Sequence, residues 1–190
     1  MAKGDYFEEL GLYLVVEESE GPVKMITRVT FSKDRPEEVS PLARDLIGHV
    51  LGTCGPVKAD LDISGLTEFQ RSVYKAVMAI PRGSTMTYAE VASKIRRPGA
   101  ARAVGNAMAS NPFVLVMPCH RVVSGKGLGG YGPGLVVKRR LLNLESIPSS
   151  IDRNQRGLVS DSPQEQRPFD TIYITVIQPH RPRRLIFLSN

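Results

Sequence analysis

The chain is poor in cysteine and histidine: 190 residues contain two cysteines, Cys54 and Cys119, and three histidines. Two distant cysteines make no disulfide framework, and no CxxC or HxxxH spacing is present to hold a metal. His49 and Cys54 are too few ligands for a structural site in the first third of the chain. Long apolar runs are missing too: nothing approaches the roughly 18 residues of a membrane span, and the opening MAKGDYFEELG lacks a signal-peptide core. The expected address is therefore cytoplasmic and nucleoid-associated, with no membrane partner. What is present, 42% hydrophobic residues, suffices for packed cores.

Charge is unevenly distributed. Residues 1–65 hold 7 Lys/Arg against 12 Asp/Glu, residues 66–148 hold 12 against 3, and residues 149–190 hold 6 against 4. A basic middle block suits a polyanion, because clustered cations displace counterions from phosphates. It equally suits a solvated basic face.

Three segments follow from the pattern. In 1–65, the runs Leu10–Val16 and Val23–Phe31 around Glu18–Pro22 predict a hairpin. Pro41–Leu51 predicts a helix opened by Ser40 and closed by Gly52, and Asp60–Ile63 a further strand. In 66–148, Thr67–Gln70 and Thr87–Glu90 are capping boxes. They predict helices from Glu68 to about Ile80 and from Tyr88 to about Ile95. Arg96-Arg97-Pro98-Gly99 turns the chain into a third helix, about Ala100–Ala109, a helix-turn-helix layout. Ala101, Ala103 and Gly105 leave that last helix nearly without bulk around its one long cation, Arg102. It suits close approach to a DNA groove, or tight packing on a neighbour. Phe113–Met117 reads as a short buried strand, and Leu135–Leu144 as a helix ending at Glu145. In 149–190, a Ser/Pro/Gln/Asp-rich linker precedes strand-like runs at Ile172–Ile177 and Leu185–Leu188. They form either a docked hairpin or a partly ordered tail.

Cys119 follows the apolar run and Pro118, beside His120 and Arg121. Nearby positive charge favours the thiolate, which is the nucleophile. A Cys-His neighbour pair alone also fits a buried packing cysteine. The whole string Met117-Pro118-Cys119-His120-Arg121-Val122-Val123 is more specific. With DISGLTEFQRSVYKAVMAIPRGSTMTYAEVA, ARAVGNAMASNP and GGYGPGLVVKRRLLNLE, all within about 60–145, it resembles the O6-alkylguanine-DNA alkyltransferase family, also called methylated-DNA–protein-cysteine methyltransferases.

The resemblance implies an α/β protein with a small N-terminal RNase H-like domain and a mainly helical C-terminal domain carrying the helix-turn-helix. It implies irreversible transfer of an alkyl group from guanine O6 in double-stranded DNA to Cys119, once per molecule, by a monomer without cofactor or metal. His120 would deprotonate the thiol through a water, Glu145 orient His120, and Asn111 tie the helix-turn-helix to the active-site loop. Tyr88 would supply a donor to the leaving guanine and crowd the phosphate as the base is flipped. Arg102 would fill the vacated space, with Ala101, Ala103 and Gly105 letting its helix enter the minor groove. Tyr131 would wall the base, the Cys119 and Val122 carbonyls accept from its amino group, and Lys138 secure the loop. Gly132 stands where some relatives have a serine, which bears on how bulky free bases are held.

Three rival classes remain to be weighed. A non-catalytic sensor that flips and holds the lesion is disfavoured by the cysteine itself, which such relatives replace. A sequence-reading regulator is disfavoured by a helix with few side chains to read base edges. A cysteine hydrolase lacks an evident oxyanion site.

Overall fold

The computed structural model describes residues 2–20, 24–54 and 57–145, together with the backbone of 172–178 and 181–186. It is a mixed α/β structure. Strands β1 (Lys3–Phe7), β2 (Leu12–Glu18) and β3 (Ile26–Ser32) form an antiparallel meander, with β4 (Glu38–Val39) parallel to β1 at one edge. The expected hairpin is β2–β3, starting and ending a residue or more later than its hydrophobic runs; Gly21–Val23 of its turn lie outside the described residues.

Helix α1 (Pro41–Leu51) has the predicted ends. The Ser40 hydroxyl accepts from the Ala43 amide, and Gly52 closes the helix at φ 73°, a left-handed conformation that glycine adopts without a Cβ penalty. Strand β5 (Val57–Asp62) then pairs in parallel with β3 at Ile26–Leu61 and with β8 (Ile172–Gln178) along its whole length. Strand β9 (Arg181–Ile186) lies antiparallel to β8, so the terminal runs extend this sheet as a hairpin. The proposed linker, 146–171, lies outside the described residues, as do Phe187 and Leu188 at the end of the second run.

The helical unit carries α2 (Glu68–Met78), α3 (Tyr88–Lys94), α4 (Ala101–Ala109) and α5 (Leu135–Leu144). Both capping boxes are made. Gln70 and Glu90 each accept from the cap amide, at 2.9 and 2.6 Å, while Thr67 and Thr87 accept from the amides three residues on. Ahead of α3, the two-residue strand β6 (Met86–Thr87) pairs in parallel with β7 (Val122–Val123), which holds the start of α3 beside the Cys119 segment.

One element differs from expectation. Phe113–Met117 is buried, but it is not a strand: it makes a single bridge, Phe113 to Val29, and then coils tightly. Leu115 sits at φ 66°, and the Val116 and Met117 amides bond back to the carbonyls of Val114 and Phe113. An apolar run specifies burial, whereas its backbone partners decide strand or turn. Buried residues of both units form one continuous core, and no described helix is long and apolar enough to cross a membrane.

Candidate active site

Cys119 opens a short 3-10 turn, Cys119–Arg121, and is only 5% exposed. It lines a pocket of about 60 Å3 whose other walls include Tyr88, Tyr131, Gly132 and the α4 residues Gly105 and Met108. Asn111, just beyond the end of α4, holds this turn. Its Nδ2 donates to the Met117 carbonyl at 2.9 Å and to Cys119 Sγ at 3.1 Å, while its Oδ1 accepts from the Phe113 amide. The helix bordering the pocket and the Cys119 turn are therefore linked through one side chain.

Behind the cysteine lies a buried polar cluster. His120 Nε2 is 2.9 Å from Glu145 Oε1, and Arg121 grips the same carboxylate through Nε and Nη2. Arg121 Nη1 donates to the Ile80 carbonyl at 2.7 Å. Burial acts to raise Glu145, but His120 and Arg121 outweigh it and hold the carboxyl well below its usual range. An ionised carboxylate only accepts, so the proton between the two groups belongs to His120 Nε2, and Nδ1 carries the lone pair. Nδ1 has no protein partner among the described residues. Burial, with Arg121 and Lys138 adding to it, keeps the ring pKa below its ordinary value despite Glu145, so the imidazole is neutral at neutral pH. That is the state of a base ready to take a proton.

The expectation that neighbouring positive charge favours the Cys119 thiolate is corrected here. Burial pushes the thiol up, and Asn111 and Lys138 only partly offset it. Arg121 does not serve the sulfur, because its guanidinium is committed to Glu145. At rest Cys119 is a thiol, and it would need a base to become a nucleophile.

The glycine-rich loop is pinned by Lys138, which is fully buried and donates to the Val122 carbonyl at 2.6 Å and the Gly130 carbonyl at 3.1 Å. Burial lowers its pKa to about 8. Tyr88 donates to the Gly130 carbonyl at 3.3 Å and packs over Gly129, where φ is +68° and an added Cβ would lie 2.9 Å from the phenol ring. Burial raises both Tyr88 and Tyr131, so each phenol keeps its proton, and Tyr131 is raised further by its charge and hydrogen-bond interaction with Cys119. On α4, Arg102 and Ala103 are exposed, Ala101 is half-buried and Gly105 faces the pocket.

Tyr88, Asn111, Cys119, His120, Val122, Tyr131, Gly132, Lys138 and Glu145 thus surround one pocket and its backing, while Arg102, Ala101 and Ala103 lie along the neighbouring helix. Sequence reasoning missed the grip of Arg121 on Glu145. The only signal was its place in the Cys-His-Arg string. Cys54 is half-buried and away from this cluster, against Gly48. Among the described residues no group of three His, Cys, Asp or Glu side chains is placed to hold a metal ion.

Comparison with known proteins bears on this geometry. The family model described as "6-O-methylguanine DNA methyltransferase, DNA binding domain" matches residues 68–147. The methylated-DNA–protein-cysteine methyltransferase of Mycobacterium bovis is 42% identical over 118 residues, 62% of this chain and 71% of that protein. The chain belongs to the methylated-DNA–protein-cysteine methyltransferase family. A family member from Methanothermobacter thermautotrophicus is 50% identical over 88 residues, 46% of this chain and 49% of its own. Among solved structures of the family, Mycobacterium tuberculosis OGT in complex with DNA superposes with a TM-score of 0.58 at 37% identity, covering 70% of this chain and 86% of that one. The M. tuberculosis O6-methylguanine methyltransferase gives 0.60 at 34% identity, covering 76% and 91%.

Proposed function

We propose that this protein repairs O6-alkylguanine in double-stranded DNA by moving the alkyl group irreversibly to Cys119, acting once per molecule and as a monomer. The observation that carries the reading is the thiol of Cys119 in a pocket wall, backed by a neutral histidine whose tautomer Glu145 fixes. His120 Nδ1 takes the thiol proton through a water. Sγ attacks the alkyl carbon, the S–C bond forms, and the C–O6 bond breaks with its electron pair going to the guanine. The Tyr88 hydroxyl, kept protonated by burial, donates to the departing base. The thioether has no route back, which makes the protein its own consumed reagent.

A buried thiol reaches O6 only if the base leaves the stack. We assign α3, its turn and α4 as a helix-turn-helix whose small residues Ala101, Ala103 and Gly105 approach the minor groove, with exposed Arg102 entering the duplex as the base departs. Tyr131 and Gly132 wall the flipped base, the Cys119 and Val122 carbonyls accept from its amino group, Lys138 keeps the loop in place, and Asn111 links helix to nucleophile. In this reading residues 1–65 form an RNase H-like unit, 66–148 the reactive unit, and 149–190 an appended segment.

The test is the intact mass of denatured protein before and after incubation with a duplex holding one O6-methylguanine. A gain of one methyl in the parent and Cys54→Ser proteins, absent in Cys119→Ser, is expected. Unchanged mass alongside lesion-selective binding refutes alkyl transfer and makes the protein a sensor.

A further inference from the structure

Arg82 stands between two helices that belong to different units. It follows α2 in the Ile80-Pro81-Arg82-Gly83 segment and is half-buried. A single guanidinium nitrogen, Nη2, donates to the Val50 carbonyl at 3.0 Å and to the Leu144 carbonyl at 2.8 Å. Val50 lies in the last turn of α1 and Leu144 is the last residue of α5. Two helix C-termini, each with unpaired carbonyls and partial negative charge, would otherwise face one another. One cation satisfies both. Gly52, the cap of α1, lies close enough that a Cβ there would sit 3.7 Å from the Arg82 guanidinium.

The next residue after Leu144 is Glu145, the cap of α5 and the carboxylate that orients His120. The same short segment serves that carboxylate twice: the Ile80 carbonyl accepts from Arg121, the other partner of Glu145, and Arg82 grips the backbone one residue before it. Gly83 completes the seat, 3.5 Å being the distance from a Cβ built there to the Glu145 carbonyl oxygen.

We propose that Arg82 is a positioning residue: by bridging the Val50 and Leu144 carbonyls it couples the N-terminal unit to the Glu145 carboxylate and so sets the activation of Cys119. The inference rests on the proposed alkyl transfer for its meaning, but its test does not. Arg82→Met removes both bonds while keeping most of the side-chain length, and Arg82→Lys keeps a cation with several donors. In the full chain, carbamidomethylation of Cys119 by iodoacetamide is followed by mass spectrometry between pH 6 and 9, with Cys54 as the internal reference. The loss expected for Arg82→Met is about tenfold, a fraction of what a positioned base supplies. Glu145→Gln in the same assay should show the same change in pH dependence, Cys54 should react as before, and Arg82→Lys should recover part of the rate. A lower melting temperature with an unchanged Cys119 rate and pH profile in Arg82→Met makes Arg82 a purely structural clamp and overturns the proposal. So does a Glu145→Gln rate and pH profile equal to the parent's, which decides the matter even should Arg82→Met fail to fold. Failure of the parent protein to gain a methyl from lesion DNA refutes the functional reading alone, since the iodoacetamide comparison still decides the role of Arg82.

Discussion

Arg121→Met is the perturbation that bears hardest on the buried cluster. The side chain is 8% exposed and Glu145 0%, so neither charge has solvent to fall back on. Arg121 gives the carboxylate contacts at 2.8 and 3.0 Å and gives the Ile80 carbonyl a further bond at 2.7 Å. Methionine fills much of the aliphatic volume and removes every donor. Breaking one side of a buried ion pair costs about 3–5 kcal/mol, mostly because the remaining charge is stranded. Urea unfolding at pH 7 should therefore show a loss in that range. The double variant Arg121→Met/Glu145→Gln should recover at least about 1 kcal/mol of it, because the stranded charge is gone. Chemistry should shift as well. Arg121 is among the groups that hold the His120 pKa down, and Glu145 pulls it up. Without Arg121 the imidazole protonates at higher pH, so the acid limb of the single-turnover rate moves upward and activity at pH 6 falls more than at pH 8. A stability loss under about 1 kcal/mol, or an equal loss in the Glu145→Gln background, would refute the account of Arg121 as the counter-ion of Glu145.

Other outcomes follow from the same geometry. Arg102→Ala should slow repair in duplex DNA far more than reaction with a free alkylated guanine base; equal slowing in both single-turnover assays would contradict its role at the vacated base position. Gly129→Ala should strain a positive-φ turn by about 1–3 kcal/mol and push against the Tyr88 ring, lowering both the thermal midpoint and the transfer rate, as calorimetry and quenched reactions would record. Stability should fall on acidification in two stages. His120 is held below its ordinary 6.5, so the unfolded chain takes up a proton first as pH drops below 6.5 and that contribution is lost. Glu145 is held below 4.5, so its contribution is present above 4.5 and is lost as pH falls further. Urea midpoints from pH 8 to 3 test this, and a flat profile between pH 7 and 5 would contradict a buried neutral His120.

Local signals in the sequence were enough for the helices and for the residues that line and back the pocket. Ser40, Thr67 and Thr87 cap helices through bonds to residues three positions away, and Gly52 ends one through its own φ, so those boundaries were legible in short strings. The Pro-Cys-His-Arg string and its companion motifs likewise marked Cys119, His120, Asn111 and Glu145, because each carries its functional group in its own side chain. Strand β1 left little trace: Lys3-Gly4-Asp5-Tyr6-Phe7 has no clean apolar alternation. It is a strand because β2 pairs with it and because Gly4 lets the chain pass where a Cβ would lie 2.5 Å from the Leu14 carbonyl oxygen. The Phe113–Met117 run shows the converse, apolar residues buried without a ladder because Asn111 and local turns take their backbone groups.

Tertiary structure alone decided what the charges do. In sequence Arg121 stands near Cys119, yet the fold turns it to a carboxylate 24 residues away, leaves the thiol protonated by burial, and sets a neutral histidine against that same carboxylate. In sequence Arg82 is simply the middle of Pro81-Arg82-Gly83 after a helix, and only the fold brings the ends of α1 and α5 to it. Desolvation and hydrogen-bond partnership depend on what is packed nearby in space, so residue types determined which ionisable groups are present, and packing determined their protonation and their partners.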